Sequence, residues 1–333
     1  MKRMIAEWEP QQALLLSFPH KNSDWADDLN KALSPFVKIA LAAAYSQRVI
    51  IICDNKEKIA DMFCSTNNME FVEIPTNDTW IRDYGYITIE EDGVTKLLDF
   101  DFNAWGGKFE YALDNALNGM LYNRGLMGEV PLEAIGFTLE GGSIESDGAG
   151  TILTTTECLC NANRNGGLTK MQIEAKLKEY LGAKRVLWLD HGFLIGDDTD
   201  SHIDTLARFV AKDTIMYVKC NNESDEHYEA LKAMEAQLQS FRQETGEPYK
   251  LIALPMSDPK FDGEGNRLPA TYANFLITNG TILYPTYKER VKDRAVGEIF
   301  KEFFPDKEII GIDCMKLIEQ GGSLHCSTMQ VGV

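Results

Sequence analysis

A cysteine and a histidine stand side by side close to the C-terminal end of this chain, in the stretch GGSLHC that ends at Cys326. A cysteine with a histidine in reach can act as a nucleophile with an acid-base partner. Chain ends usually fray, so a reactive thiol here requires that the end of the chain be held in the fold. The stretch therefore predicts an ordered C-terminal segment that carries a chemical task.

Further polar residues come directly before segments that resemble β-hairpins. The stretch NDTWIRDYG holds Trp80 and Asp83, LEGGS holds Glu140, and DDTDSHID holds His202 and Asp204. The matching stretch before the fourth hairpin, NRLPATYAN, is mostly uncharged. If the hairpins are repeats around an axis, the polar residues gather at one mouth together with Cys326.

This set of side chains favours one class of substrate. Carboxylates accept paired hydrogen bonds from a planar guanidinium group. A hydrolase for esters or amides needs donors for a developing oxyanion instead of a ring of anions. A thiol flanked by carboxylates therefore indicates attack on a positively charged carbon, although neighbouring carboxylates also raise the pKa of a thiol.

The elements that must position these residues recur along the chain. Strand-turn-strand patterns centre on Asp92-Gly93, Asp147-Gly148, Asp213 and Asn279-Gly280, and the Asp-Gly and Asn-Gly pairs suit turns with positive φ. Helical patterns (GLTKMQIEAKLKEYLG, SDEHYEALKAMEAQLQSFR) and apolar runs (RVLWL, KLIAL) lie between them. The repeating unit of hairpin, helix and strand predicts a radial α/β architecture instead of two separate domains.

Both chain ends contain a strand-like segment, QALLLSFP near the start and SLHCSTMQV at the end. Pairing these two segments would close a ring of five units. We therefore expect residues 1–333 to form a single domain that brings Asp83, Glu140, His202, Asp204 and Cys326 together.

Composition excludes several alternatives. The formal net charge of −18 disfavours nucleic-acid binding, because phosphate backbones repel such a surface. No apolar run is long enough to span a bilayer or to act as a signal peptide, so we predict no membrane contact and a cytoplasmic location. The odd count of seven cysteines argues against a disulfide framework. The pair Cys158-x-Cys160 has neither a second pair nor a nearby histidine and does not indicate zinc.

The motifs taken together resemble a known family. EWEP, TWIRDYG, DFNAWGG, LEGGSIESDGAGTILTTTECL, NRN, SHIDTLARF and GGSLHCSTMQ are similar to the agmatine deiminases, which belong to the guanidine-modifying superfamily with the five-bladed α/β-propeller, or pentein, fold. The resemblance covers Glu7 to Gln330 and implies hydrolysis of agmatine to N-carbamoylputrescine and ammonia without a metal or organic cofactor. The chain departs from the family pattern at Tyr86 and in its QGGSLHCSTMQ ending.

The resemblance also implies a role for each candidate residue. Cys326 is the expected nucleophile and His202 the general acid and base. Asp83 and Asp204 are expected to hold the guanidinium nitrogens, with Glu140 beside them to orient the group or move protons. The remaining two candidates, Trp80 and Trp105, are expected to line the pocket around the aliphatic stem.

Other interpretations stay open at this stage. Each candidate has a structural alternative as a core residue, a turn cap or a loop ion pair, and His20, His191 and His227 are interpreted as structural. Asp200 is placed at the mouth and Asp197 and Asp198 are interpreted as loop acids, while Arg82 is expected to point away from the pocket. The alternative functions are deimination of free or peptidyl arginine and a non-catalytic binding module, and a homo-oligomer is possible.

Overall fold

The computed structural model describes residues 1–333, and its strands form five sheets of three or four strands and one two-stranded ribbon. The strands are β1 (Lys2–Met4), β2 (Gln11–Ser17), β3 (Arg48–Cys53), β4 (Met69–Glu73), β5 (Ile87–Glu91), β6 (Val94–Asp101), β7 (Leu132–Thr138), β8 (Ile144–Ser146), β9 (Thr151–Thr155), β10 (Arg185–Leu189), β11 (Ala207–Ala211), β12 (Thr214–Lys219), β13 (Lys250–Pro255), β14 (Lys260–Phe261), β15 (Arg267–Leu268), β16 (Leu276–Ile277), β17 (Thr281–Thr286), β18 (Glu308–Asp313) and β19 (Thr328–Gly332).

Four of the sheets repeat one pattern, in which an antiparallel hairpin is followed by a parallel third strand. The hairpins are β5–β6, β8–β9, β11–β12 and β16–β17, and the parallel partners are β7, β10, β13 and β18. The four predicted hairpins are therefore confirmed. The same pattern confirms that the apolar runs RVLWL (β10) and KLIAL (β13) are strands.

The fifth sheet is built from both ends of the chain. The C-terminal strand β19 pairs antiparallel with β2, with Thr328 opposite Leu16, and β2 pairs parallel with β3. The predicted strand over SLHCSTMQV is wrong in its first half, because Leu324 to Ser327 form a turn. Cys326 is thus held on a turn just ahead of a paired strand.

Most of the helices connect strands of the same sheet, whereas Ile81–Tyr84 lies between β4 and β5 of different sheets. The two predicted helices are confirmed, and the first begins with a capping box in which Thr169 and Gln172 satisfy each other's backbone N–H groups. The helices are Leu29–Ala44, Lys56–Ala60, Ile81–Tyr84, Ala112–Asn115, Leu117–Asn123, Thr156–Leu159, Ala162–Asn165, Lys170–Leu181, Tyr228–Ser240 and Arg290–Phe303, with 3₁₀ turns at Ala26–Asp28, Gly141–Ser143, Ile203–Thr205 and Leu317–Gln320.

The hairpin turns only partly follow the prediction of positive φ. Asp92 and Gly93 have φ of 52° and 80°, as expected for a tight turn. Asn279 and Gly280 do not have positive φ, so that part of the prediction is wrong. Gly280 is required for another reason, because a Cβ there would lie 2.5 Å from the Cβ of Ser46.

The core is deepest around β2 and β3. Val49 to Cys53 are 0 to 2% exposed, as expected for a strand that is covered on both faces. Burial raises the pKa of Cys53 to about 12, so this cysteine is a core residue as expected. No helix of the structure combines the length and apolar character needed to cross a membrane.

Candidate active site

An open cleft of about 400 Å³ contains Cys326. Aromatic side chains of Trp80, Trp105 and Phe109 form part of its wall. Five acidic residues also line it, and no lysine, arginine or histidine does. The acidic residues are Asp24, Asp78, Asp83, Asp198 and Glu319.

The thiol of Cys326 is almost buried, with 6% of the residue exposed. Asn274 Nδ2 lies 3.2 Å from Sγ, and Asp204 Oδ2 lies 3.7 Å from it. Burial, followed by the charges of Asp204 and Asp83, raises the pKa of Cys326 well above its usual value. The sulfur is therefore held as a thiol at rest, and a positive charge bound beside it would favour the thiolate.

Three candidates converge on Gly142, the middle residue of the 3₁₀ turn that follows Glu140. The Gly142 N–H donates to Asp83 Oδ1 at 2.9 Å, and His202 Nδ1 lies 3.6 Å from the same oxygen. A Cβ on Gly142 would lie 2.7 Å from Asp83 Oδ1, 2.7 Å from His202 Nδ1 and 3.3 Å from Asp204 Cγ. The absence of a side chain at Gly142 thus lets these groups approach each other.

The pKa values of Asp83 and Asp204 are shifted in opposite directions. Burial raises the pKa of Asp83 to about 6, and this rise is opposed by His202 and reinforced by Asp204 and Glu140. Burial alone would raise the pKa of Asp204 as well, but the hydrogen bond and charge of His325 outweigh it and lower the pKa. Asp204 is therefore the more firmly ionised of the pair.

Trp80 reaches the cleft because a glycine makes room for it. A Cβ on Gly322 would lie 2.4 Å from the Trp80 ring, and Gly321 beside it has φ of 78°. Trp25 also packs against the Trp80 indole, at a centroid distance of 5.9 Å. The glycine pair before the C-terminal His-Cys dipeptide thus shapes the pocket wall.

Trp105 is presented by a left-handed turn. The four residues from Ala104 to Gly107 have φ of 51°, 52°, 98° and 77°. Non-glycine residues in this region cost on the order of 1–3 kcal/mol each, and such strain is typical of functional sites. The turn directs Trp105 Nε1 to Asp83 Oδ2, at 3.0 Å.

Glu140 lies deeper than the lining of the cleft. It is fully buried, as Asp204 and His202 are, and none of these three is among the residues that line the cleft. Arg164 Nε donates to Glu140 Oε1 at 2.8 Å, while Glu140 Oε2 has no hydrogen-bond partner. A carboxylate oxygen of Glu140 lies within 4.8 Å of the Cys158 sulfur and of a ring nitrogen of His202. Glu140 therefore lies beside His202, and whether it contacts the substrate stays a prediction.

The acidic loop before His202 also differs from expectation. Asp198, interpreted as a loop acid, lines the cleft, and burial raises its pKa. Asp200 is neutralised at the mouth by Arg164 and by Lys108, whose Nζ lies 3.2 Å from Oδ1. Asp197 accepts the backbone N–H of Ser201 at 2.8 Å and is a loop acid, as expected.

No arginine lines the cleft. Arg82 points away from it, as predicted, and donates to Gln330 Oε1 at 2.7 Å. Arg208 bonds Glu7 and Glu145, and Arg267 bonds Asp225 at 2.7 Å. The three histidines interpreted as structural lie outside the cleft lining: His20 is bonded to Thr76, His191 is exposed, and His227 is bonded to Asp225.

Sequence reasoning missed one residue at the site and gave another, His325, no role of its own. Asn274 bonds both Asp204 and Cys326, and it lies in NRLPATYAN, the stretch set aside as uncharged. Its place before the fourth hairpin was the available signal. His325 is buried behind the nucleophile, with Nδ1 2.7 Å from Asp204 Oδ2 and Nε2 2.7 Å from Glu7 Oε2.

Comparison with known proteins supplies a family. Residues 3–332 match the family model of the Porphyromonas-type peptidyl-arginine deiminases. The agmatine deiminase of Medicago truncatula is 30% identical, with 98% of this chain and 95% of the relative covered. The agmatine deiminase of C. jejuni, solved as a cysteine-to-serine variant with substrate bound, has a TM-score of 0.93 at 42% identity, covering 100% of this chain and 97% of that one. The similarity to these deiminases supports the α/β pentein fold.

Proposed function

Because this chain belongs to the Porphyromonas-type peptidyl-arginine deiminase family, we propose that it is a hydrolytic deiminase that converts agmatine to N-carbamoylputrescine and ammonia. The proposal rests on one observation above all others. The cleft that holds Cys326 is lined by five acidic residues and by aromatic rings, and it contains no positively charged side chain.

That lining suits a molecule with a cation at each end. A guanidinium group is paired with carboxylates, and an apolar stem packs on aromatic rings. An amine at the far end meets Asp24, Asp78, Asp198 or Glu319, whereas the carboxylate of free arginine would meet anions only. Relatives named as agmatine deiminases support the same choice of substrate.

The first half of the reaction forms a covalent intermediate. Asp83 and the unpaired Oδ1 of Asp204 hold the guanidinium nitrogens, and the bound cation stabilises the thiolate. The Cys326 sulfur attacks the central carbon, the thiol proton passes to His202, and His202 protonates the nitrogen that leaves as ammonia. An S-alkylthiouronium on Cys326 remains.

The second half uses the same histidine in reverse. His202 takes a proton from water, the resulting hydroxide attacks the thiouronium carbon, and the C–S bond breaks to give the ureido product and the free thiol. Glu140, which is fixed by Arg164 beside His202, keeps the ring oriented for both proton transfers.

Several finer features belong to the same proposal. Residues 1–333 act as one catalytic domain, with the five sheets arranged as the blades of an α/β-propeller closed by the β19–β2 pairing. The enzyme works in the cytoplasm, binds no nucleic acid, and is a candidate for homo-oligomer formation. The acidic net charge of −18 supports the absence of nucleic-acid binding.

The test is a side-by-side measurement of ureido product with agmatine, free arginine and an arginine peptide. We expect kcat/KM for agmatine to exceed that for arginine by at least ~100-fold, because a misplaced buried charge costs about 2.7 kcal/mol or more. Equal rates, or a preference for either arginine substrate, would contradict the assignment. Release of ammonia from none of the three would contradict the deiminase function itself.

A further inference from the structure

One buried histidine has no part in the mechanism above, although it touches the site. His325 is 1% exposed and lies between two acids from distant parts of the chain. Its Nδ1 is 2.7 Å from Asp204 Oδ2, and its Nε2 is 2.7 Å from Glu7 Oε2. Glu7 lies in the EWEP motif near the N-terminus, which the reaction does not otherwise use.

Both of these acids are ionised. Glu7 Oε2 accepts a hydrogen bond from Arg208 Nη2 at 2.8 Å and lies 3.7 Å from Arg82 Nη2, so two guanidinium groups hold this acid in its charged form. Burial raises the pKa of Asp204, but the charged groups around it, Arg208 among them, lower it, and its Oδ2 accepts the Asn274 amide at 3.2 Å. An ionised carboxylate accepts hydrogen bonds and cannot donate them. Each ring nitrogen of His325 therefore has to supply the proton of its own bond.

From this geometry we infer that His325 is held as an imidazolium, and that it is a positioning residue that keeps Asp204 ionised and turned toward the substrate guanidinium. The positioning role rests on the proposed function, whereas the positive charge of the ring does not. Oδ2 of Asp204 is taken by His325 and Asn274, so Oδ1, which is buried without a partner, is left for the substrate.

The two carboxylates on the ring favour a proton on each of its nitrogens. Glu7 and Asp204 both contact His325, so a positive ring lowers the net negative charge of this buried cluster. A neutral group is far cheaper to bury than one with a net charge. The charged and titratable groups that face His325 or Asp204 are Glu7, Arg82, Asp83, Glu145, His202, Arg208 and Cys326.

His227 provides a matched contrast within the same chain. It is also 1% exposed and also has a carboxylate on Nδ1, that of Asp225 at 2.8 Å. Its Nε2, however, accepts the backbone N–H of Ile195 at 2.8 Å. A ring that accepts at one nitrogen is neutral, so two equally buried histidines are predicted to differ in charge.

The first experiment is ¹⁵N NMR of the histidine rings in the wild-type protein, where five histidines make assignment by substitution practical. We expect two equivalent protonated nitrogens for His325 and the unequal pair of a neutral tautomer for His227. A neutral tautomer at His325 would overturn the inference whether or not the protein turns out to be an agmatine deiminase.

The second experiment measures the pH profile of kcat/KM for agmatine in His325→Asn and His325→Gln, with His227→Asn as control. Asparagine places one neutral donor near Asp204, and glutamine places one near Glu7. In the wild type, the fall of kcat/KM on the acid side of the profile, the acid limb, should follow the protonation of Asp83 alone and have a slope of about one. In both variants the pKa of Asp204 should rise by about 1–3 units. The acid limb should therefore move to higher pH and steepen toward a slope of two, for two protons.

An unchanged acid limb in active variants would overturn the positioning role. If both His325 variants fail to fold, Glu7→Gln serves instead. This substitution removes the carboxylate charge at His325 Nε2, weakens the hydrogen bonds that link Glu7, His325 and Asp204, and should shift the acid limb by a smaller amount. An inactive wild type with an imidazolium at His325 would count against the proposed function and not against the assignment of the ring's charge.

Discussion

Replacing Gly142 with alanine tests the convergence of the site with a single methyl group. Gly142 does not have positive φ, so its backbone accepts alanine without strain. The new Cβ would lie 2.7 Å from both Asp83 Oδ1 and His202 Nδ1, whereas ordinary contacts begin at 3.4 Å. One or both of these groups must therefore move by roughly 0.7 Å.

The expected magnitude follows from that displacement. A misplacement of about 1 Å in a reacting constellation costs about 100-fold, so we expect kcat/KM for agmatine to fall by about that factor. The fold should be kept, because the reduced entropy of the unfolded chain, about 0.4–1 kcal/mol, offsets part of the crowding. Kinetic assays and thermal unfolding of the purified variant measure both quantities.

Two other glycines serve as controls. A Cβ on Gly119, in the helix Leu117–Asn123, meets nothing within 4 Å, so Gly119→Ala should keep full activity and gain about 0.5–1 kcal/mol. A Cβ on Gly141 would lie 2.2 Å from the carbonyl oxygen of Arg82, so Gly141→Ala should destabilise the fold itself. Near-wild-type kcat/KM in Gly142→Ala would refute the reasoning, because the three side chains could not then be in contact during catalysis.

The remaining predictions concern the acids, the thiol and the substrate. Asp83→Asn should lower kcat/KM about 10- to 150-fold through the loss of one charge-assisted contact worth roughly 1.5–3 kcal/mol, and wild-type kinetics would exclude it from the guanidinium clamp. In the wild type kcat/KM should fall as the pH drops through about 6, where Asp83 takes up a proton, and this limb should be lost in Asp83→Asn. Alkylation of Cys326 by neutral iodoacetamide, followed by peptide mass spectrometry, should be slow at pH 7, because the raised pKa of this thiol keeps the thiolate scarce. The alkylation rate should rise about tenfold per pH unit and reach no plateau below pH 9. A plateau near pH 7 would contradict this. The preference for agmatine over arginine completes the set.

Much of the architecture could be predicted from local patterns. The hairpins, the helices Lys170–Leu181 and Tyr228–Ser240 and the buried strands follow from turn residues and apolar periodicity, which depend on near neighbours in sequence. The turn at Asn279-Gly280 was mispredicted because its glycine serves close packing against Ser46, a contact between residues far apart in the chain. Such contacts leave no periodic signal.

The site shows the same division. The repeat positions of Asp83, His202, Asp204 and Cys326 could be predicted because they carry chemically distinctive side chains. Asn274 was overlooked because its amide carries no charge, although its position obeyed the repeat. The sequence does not reveal that Arg164 holds Glu140 in a fully buried position. The link from Glu7 through His325 to Asp204 joins residues more than 300 positions apart and needs the folded structure.

The central claim is that the sulfur of Cys326 performs the chemistry within a cleft that already binds the cation. Ammonia release and thermal stabilisation by agmatine, measured on the same preparation of Cys326→Ala, test it most directly. We predict a folded protein that agmatine still stabilises and that releases no ammonia above background. Continued ammonia release from the pure variant would contradict the covalent mechanism.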